Sequence, residues 1–402
     1  MSRDDEPVTL AVGDREVVLT HPHKLLIPTA RVRKLDLAQY YVALAEGVLR
    51  GAGGRPCVMV RHPDGLGGAW FFQKRAPAAR PDWVEVAELR YRSGRTAQEV
   101  VPRHAADLAW MANLACLELH PHAVRADDPE HPDELRIDLD PVAGVAWPQI
   151  VQVAGVAREV LRDAGLRGWP KTSGSRGIHV LVRLQPRWTY DELRRAALAL
   201  ASEVERRAPG LATSEWHKER REGVFVDYNQ NARDRTVCSA WSVRARPDAR
   251  VSTPVDWREL RRCDPAAFTL WTIPARWRKR GDPHAPMAEH AGALDTLLEW
   301  WTRDEAAGRG DARRTPARPA AGPLVEAARV DSEAAIQPAI DAWKASHPEA
   351  AACLAPRDVL VDRMRGRSSL WYRVRINLAR VPERLRPAPV RGHHAPNTRA
   401  SS

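Results

Sequence analysis

Asp138 and Asp140 stand one residue apart in the run Leu135-Arg136-Ile137-Asp138-Leu139-Asp140-Pro141. Acids alternating with apolar residues form a strand pattern, which places both carboxylates on one face, roughly 6.5–7 Å apart along the backbone. Leu135, Ile137 and Leu139 then cover the opposite face. Two neighbouring acids repel each other, and a divalent cation between them is the usual remedy. Further along, Asp227 ends the apolar run Val224-Phe225-Val226. A carboxylate in that position needs a partner, because burying it alone is expensive. A third metal-directed acid meets the need, and so does a salt bridge to one of the chain's many arginines.

Between the acids lies Lys171-Thr172-Ser173-Gly174-Ser175-Arg176-Gly177-Ile178-His179. The glycines permit tight turns and close approach of a ligand to the backbone. Ser173, Ser175 and the consecutive amides can cup an anion, with Lys171 and Arg176 adding charge. The loop feeds a strand from Ile178 to Leu184, whose Ile178, Val180 and Val182 face one way and whose His179 faces the other. Taken alone, such a loop is also an ordinary turn before a strand. The run Trp241-Ser242-Val243-Arg244-Ala245-Arg246 alternates as well, which puts Arg244 and Arg246 on one face, spaced for successive phosphates. Three acids, an anion loop with a following histidine and a paired-arginine strand are together the parts of metal-dependent nucleotidyl transfer.

The elements that must hold these residues alternate between strand and helix. Residues 35–50 and 105–117 carry apolar side chains at helical spacing. After the acid strand a helix starts near Pro148 and stops at Gly165, and another opens at Thr189 with Glu192 three positions on, a capping box. This order builds a sheet with helices packed on one side and the carboxylates on the other. Past Trp301 the character changes. Residues 303–325 read as a linker, 326–387 as a small basic extension with a helix around Ile336–Trp343 and a strand over Ser369–Leu378, and 388–402 as a disordered tail. Between Arg363 and Arg386 there are eight arginines and one acid, Glu383, interleaved with Trp371 and Tyr372. That pattern suits a nucleic-acid contact, and equally the solvated side of an edge strand bearing Arg373 and Arg375.

At this point the chain resembles the polymerase domain of bacterial ligase D and its stand-alone relatives, members of the archaeo-eukaryotic primase superfamily (Prim-Pol). The resemblance covers residues 15–302 and rests on ordered motifs: Asp138-Leu139-Asp140-Pro141, the Ser173–His179 loop, Val226-Asp227-Tyr228-Asn229-Gln230-Asn231, Trp241-Ser242-Val243-Arg244 and Val251–Trp257. Upstream, Arg55-Pro56, Arg61–Gly65, Phe71-Phe72-Gln73-Lys74 and Glu118-Leu119-His120-Pro121 match in order. It implies an α+β primase-polymerase fold: a largely antiparallel catalytic sheet like an RNA-recognition fold over about 121–302, flanked by helices, with an N-terminal α/β module over about 1–120. It implies that Asp138, Asp140 and Asp227 hold two divalent ions, Mn²⁺ or Mg²⁺. It implies also that His120, Ser173, His179, Arg244 and Arg246 grip the nucleotide, to which Lys171 and Arg176 of the loop add charge. Lys24 and Lys34 match positions that hold a downstream 5′-phosphate, and Phe71, Phe72 and Lys74 match a DNA-contacting stretch. Gln230 stands where some relatives carry arginine, Trp241 replaces a frequent tyrosine, and His122 occupies a place where an aromatic is common.

The implied function is template-dependent extension of DNA primers at gaps and broken ends with ribo- or deoxyribonucleoside triphosphates, in non-homologous end joining. No Lys-x-Asp-Gly ligase nucleophile occurs in the chain, so the expected partners are a separate ATP-dependent DNA ligase and a Ku-type end-binding protein, besides DNA with a 5′-phosphate. Two other functions fit the same residues: a metal-dependent phosphodiesterase, and a non-catalytic DNA-end binder. Composition agrees with a polyanion partner. Lys+Arg number 62 against 51 Asp+Glu in 402 residues, a net charge of +11. Five scattered cysteines with no C-x-x-C offer neither a zinc motif nor a disulfide framework, which points to a reducing cytoplasm near the nucleoid. No apolar run is long enough to span a membrane.

Overall fold

The structure, a computed structural model, describes residues 6–92, 94–308, 323–355, 358–365 and 370–387. The chain divides into two compact units, Met1–Gly310 and Asp311–Ser402. The tail expected over 388–402 and the middle of the expected linker, 309–322, lie outside the described residues.

The centre of the first unit is a five-stranded sheet in the order Trp169–Thr172, Ile178–Arg183, Glu134–Pro141, Val224–Asp227, Ala212–Thr213. All pairings are antiparallel except the last. Alternation along these strands does what the sequence pattern demands. Leu135 stands opposite Val182, Ile137 opposite Val180, and Leu139 between Ile178 and Val226, so one face is continuous aliphatic surface. Two helices cover that face. Trp147–Asp163 buries Ile150, Val153, Ala154, Ala157, Val160 and Leu161, the stripe of a 3.6-residue repeat. It ends in a Schellman arrangement, Leu166 N–H donating to Leu161 C=O (2.8 Å) and Gly165 N–H to Arg162 C=O (3.0 Å). Tyr190–Arg207 is opened by the capping box: Thr189 Oγ accepts from the Glu192 amide, and Glu192 Oε2 accepts from the Thr189 amide at 2.8 Å. The carboxylates are left on the opposite face.

The N-terminal module supplies a second five-stranded sheet, in which Cys57–Arg61 pairs with Phe71–Gln73, with Cys116–Pro121 and, at Cys57, with Thr96–Val100. Helices Lys34–Ala43 and Ala45–Ala52 fill the expected helical stretch at 35–50. The helix expected over 105–117 is shorter, Ala105–Asn113, because Ala115 takes φ +57° and Cys116 already belongs to a strand. A buried ion cluster ties the two sheets together: Arg55, fully buried, pairs with Asp133 at 2.6 Å, which also receives Arg125 and Arg183 at 2.8 and 2.7 Å.

Helix Asp295–Ala306 runs past residue 302 into the stretch expected as linker. In the second unit, strands Leu324–Val330 and Val359–Arg365 flank Leu370–Asn377 in an antiparallel sheet, and helix Ile336–Ser346 buries Ile340 and Trp343. Arg373 and Arg375 both pair with Asp362 on the neighbouring strand, at 3.2 and 2.6 Å.

Candidate active site

Four side chains form a row across the face of the catalytic sheet opposite its two helices. Lys171, His179, Asp138 and Asp227 are successive register partners on four adjacent strands. Asp140 follows two residues beyond Asp138 on the same strand, hence on the same face. This concentration of negative charge has a cost. Burial, then the neighbouring Asp227 and Asp140, push the Asp138 carboxyl up to about 8. Asp227 is held in place by the Asn229 amide at 2.9 Å and Gln230 Nε2 at 2.8 Å. Gln230, where some relatives carry arginine, thus orients an acid.

His179 is positioned from the other side. Lys171 Nζ donates to His179 Nδ1 at 2.8 Å, which leaves the ring proton on Nε2, 3.4 Å from Asp138 Oδ1. Burial and the Lys171 and Arg244 charges hold the imidazole well below its usual range, so it stays neutral. Lys171 does not extend into the anion loop, as expected from sequence. It is fully buried, donates also to Cys238 C=O and Ser252 Oγ, and burial lowers it to about 8.

The loop itself is tightly folded. Ser173 Oγ accepts from the amides of Ser175 and Gly177, at 3.1 and 3.0 Å, so two amides expected to cup an anion are engaged by the serine. Gly177 lies against the acid strand: a Cβ there would sit 2.2 Å from Leu139 O. Arg176 is exposed, and with Ser175 and Arg250 it borders a cleft of about 330 Å³ beside Pro141.

Arg244 and Arg246 do not share a strand face. The segment Trp241–Arg246 is irregular, with Trp241 at φ +61° and the Arg246 amide donating to Arg244 C=O at 2.7 Å. Two tyrosines from the first helix impose this path. Tyr40 Oη donates to Trp241 C=O at 2.9 Å, and the Val243 amide donates to Tyr41 Oη at 3.2 Å. Arg244 turns toward the site, donating to Ser173 C=O at 3.2 Å and pairing with Glu118 at 3.2 Å. Glu118 also bonds His120 Nε2 at 2.8 Å and the Ala245 amide at 2.9 Å. Burial opposes ionisation of Glu118, but His120 and Arg244 outweigh it and hold the carboxyl at about 2.

Comparison with known proteins accords with this geometry. The family model for the LigD primase-polymerase domain matches residues 33–284. The chain belongs to the LigD primase-polymerase family. Among curated LigD relatives, the multifunctional non-homologous end joining DNA repair protein LigD of Mycobacterium tuberculosis is 35% identical over 269 residues, 65% of this chain and 35% of that protein. The Pseudomonas aeruginosa multifunctional non-homologous end joining protein LigD is 32% identical over 284 residues, 70% of this chain and 34% of that one. The chain thus spans about a third of the length of these LigD proteins. A solved structure, the polymerase domain of Mycobacterium tuberculosis ligase D in complex with DNA, matches with a TM-score of 0.64 at 33% identity, covering 69% of this chain and 99% of that one. The mixed α+β fold expected from sequence is therefore that of the LigD polymerase domain.

The remaining residues expected from the LigD resemblance fall in the N-terminal module. Lys34 is buried at the start of its helix, with Nζ donating to Thr20 C=O at 2.7 Å. Burial, then the charges of Lys24 and Arg61, lower it to about 8. Lys24 is partly exposed and pairs with Asp64 at 3.5 Å. Phe71 and Phe72 are both exposed but point to opposite faces of an edge strand. Phe71 lies under Arg61, whereas Phe72 makes an edge contact with His120 at 6.0 Å between centroids. Lys74 lies over the Tyr91 ring at 4.2 Å.

Sequence reading left two contributors without a role. Glu118 is two positions before His120 on one strand, and Trp70 two positions before Phe72, so alternation alone placed each beside a named residue. Trp70, 55% exposed, meets Phe72 at 5.5 Å and stacks on His62 at 5.9 Å. No helix among the described residues is long and apolar enough to cross a membrane.

Proposed function

We propose that this protein is a template-dependent nucleotidyltransferase that extends DNA primers at gaps and broken ends during non-homologous end joining. The observation that carries this reading is the register pairing of Asp138 with Asp227, with Asp140 alongside and His179 opposite. An all-oxygen donor set suits hard divalent cations, Mg²⁺ or Mn²⁺. The raised Asp138 carboxyl fits the same assignment, since it marks a site short of positive charge. Asp138, Asp140 and Asp227 would hold two such ions, which would supply Lewis acidity toward the primer 3′-hydroxyl and the leaving pyrophosphate.

The protein's own part is binding and orientation. The primer 3′-oxygen bonds to the α-phosphorus as the bond to pyrophosphate breaks. Arg244, fixed by Glu118 and Ser173, and His120, fixed by Glu118, present donors to the triphosphate. His179, kept neutral with its proton on Nε2, offers one hydrogen bond at the edge of the carboxylate row. Arg176 and Arg246 add charge nearby. Lys34, Lys24 and Arg61 form a cationic group that keeps an excess of positive charge after Lys24 pairs with Asp64, and a 5′-phosphate downstream of the gap satisfies it. Phe72 offers a face to an unpaired base, with Phe71 and Lys74 on the flanking surface. Residues 1–302 carry the chemistry, and the basic segment 326–387 is an accessory. Strand sealing and end holding fall to an ATP-dependent ligase and a Ku-type protein.

The test is labelled nucleotide incorporation on a gapped duplex bearing a 5′-phosphate, with ribo- or deoxyribonucleoside triphosphates and with Mg²⁺ or Mn²⁺. Template-directed lengthening of the primer is expected. Shortening of the strand without incorporation would instead make the protein a phosphodiesterase, and neither outcome would leave it a binder of DNA ends.

A further inference from the structure

Glu118 and His120 lie two residues apart on the strand Cys116–Pro121, so both side chains leave one face. The Ser239 amide donates to Leu119 C=O at 2.8 Å, which pins Cys238 against that strand. The ligand atoms of Glu118, His120 and Cys238 all lie within 4.8 Å of one another. Asp138, Asp140 and Asp227 do not form such a trio among the described residues. We propose that Glu118, His120 and Cys238 form a second cation site, selective for a zinc-class ion and separate from the carboxylate row.

Chemistry separates the two sites. Sulfur, imidazole and one carboxylate oxygen match the borderline-soft preference of zinc, whereas the aspartate row offers oxygen alone. The outer contacts are also in place. Glu118 Oε1 is already held by the Ala245 amide at 2.9 Å and faces Arg244 at 3.2 Å, which leaves Oε2 for an ion. Entry is through His120, whose side chain is 13% exposed. An ion takes the place of the proton shared by His120 and Glu118, so binding releases protons. Three protein ligands leave a fourth position open.

A regulatory consequence rests on the function proposed above. An ion coordinated by His120 withdraws that imidazole from the triphosphate, so zinc and nucleotide compete.

Cobalt(II) titration of the full chain, stripped with chelator and kept reduced, tests the site directly. One equivalent should produce a thiolate-to-cobalt charge-transfer absorption that Zn²⁺ removes. The band should vanish in Cys238→Ser, survive in Asp138→Ala/Asp140→Ala, and require at least about tenfold more cobalt in His120→Asn. No charge-transfer band in the native chain overturns the proposal, whatever the variants do. A band that persists in Cys238→Ser, or unchanged affinity in His120→Asn, overturns it as well. These readings are independent of polymerisation, so failure here leaves the proposed activity standing, and an inactive protein that gives the band leaves the site standing.

Discussion

Asp138 and Asp227 face each other as register partners on neighbouring antiparallel strands, although 89 positions separate them in the chain. Their side chains emerge on the same face at the same height, and the strand carrying His179 flanks Asp138 on its other edge. Charge is concentrated there by the fold, and a bound cation would relieve it.

Asp138 binds its proton more tightly in the folded chain than in the unfolded one. From the ordinary carboxylate range up to about 8, the folded state therefore holds more protons, and this group's contribution to stability falls as pH rises. In chelator above about pH 8, Asp138→Asn should be more stable than the native chain by about 2 kcal/mol. Nucleotide incorporation by the same variant should fall at least about 1000-fold. Melting curves with chelator and with Mn²⁺ check the first half: Mn²⁺ should raise the native melting point and leave the variant's unchanged.

Glu118 bonds His120 and pairs with Arg244, so in the proposed reaction it acts on the nucleotide through them. Glu118→Gln keeps the shape but removes the charge that orients both, so KM for the triphosphate should rise about tenfold with a smaller change in kcat. An equal loss in kcat alone would show that the two cations act only on the transition state.

The Arg55 cluster should dominate acid sensitivity. Burial opposes ionisation of Glu134, but Arg136, Arg55 and Arg183 outweigh it and hold the carboxyl at about 2, and Asp133 is held down in the same way. The stability these groups contribute is complete above the ordinary carboxylate range and is lost as pH falls through their folded values. Arg55→Ala removes the fully buried cation of a cluster in which Arg125, Arg136 and Arg183 remain, and should destabilise by about 3 kcal/mol in urea unfolding at neutral pH.

Lys34 should discriminate between DNA ends. Lys34→Met is expected to reduce the preference for a 5′-phosphate over a 5′-hydroxyl by about tenfold, the loss of one charge-assisted hydrogen bond. In the native chain that preference should weaken as pH rises through about 8, where Lys34 gives up its proton. Fluorescence anisotropy on the two gapped duplexes measures both.

Phe72 meets His120 and Trp70 packs against Phe72, whereas Phe71 lies under Arg61. Replacing Phe72 or Trp70 by Ala should weaken binding to DNA with an unpaired template base by about 1–3 kcal/mol, and Phe71→Ala by less. Equal effects of Phe71→Ala and Phe72→Ala would contradict the opposed orientation.

Much of this was legible in the chain because it depends on short-range periodicity. Strand alternation put Asp138 and Asp140 on one face, and the Thr189–Glu192 pair marked a helix start that hydrogen bonds confirm. The errors arose where distant residues set the local structure. Trp241–Arg246 has the pattern of a strand, yet its backbone is held by Tyr40 and Tyr41 about 200 positions earlier. Lys171 reads as a cation at the mouth of an anion loop. Its strand neighbours His179 and, through an isolated bridge, Pro254 turn it inward, to a place that no local pattern predicts.

The most direct test of the carboxylate row is Mn²⁺ binding by electron paramagnetic resonance, in the presence of a non-hydrolysable triphosphate. The native chain should bind Mn²⁺, and Asp138→Asn/Asp227→Asn should lose it while still binding gapped DNA. Equal Mn²⁺ binding by the two proteins would contradict the account.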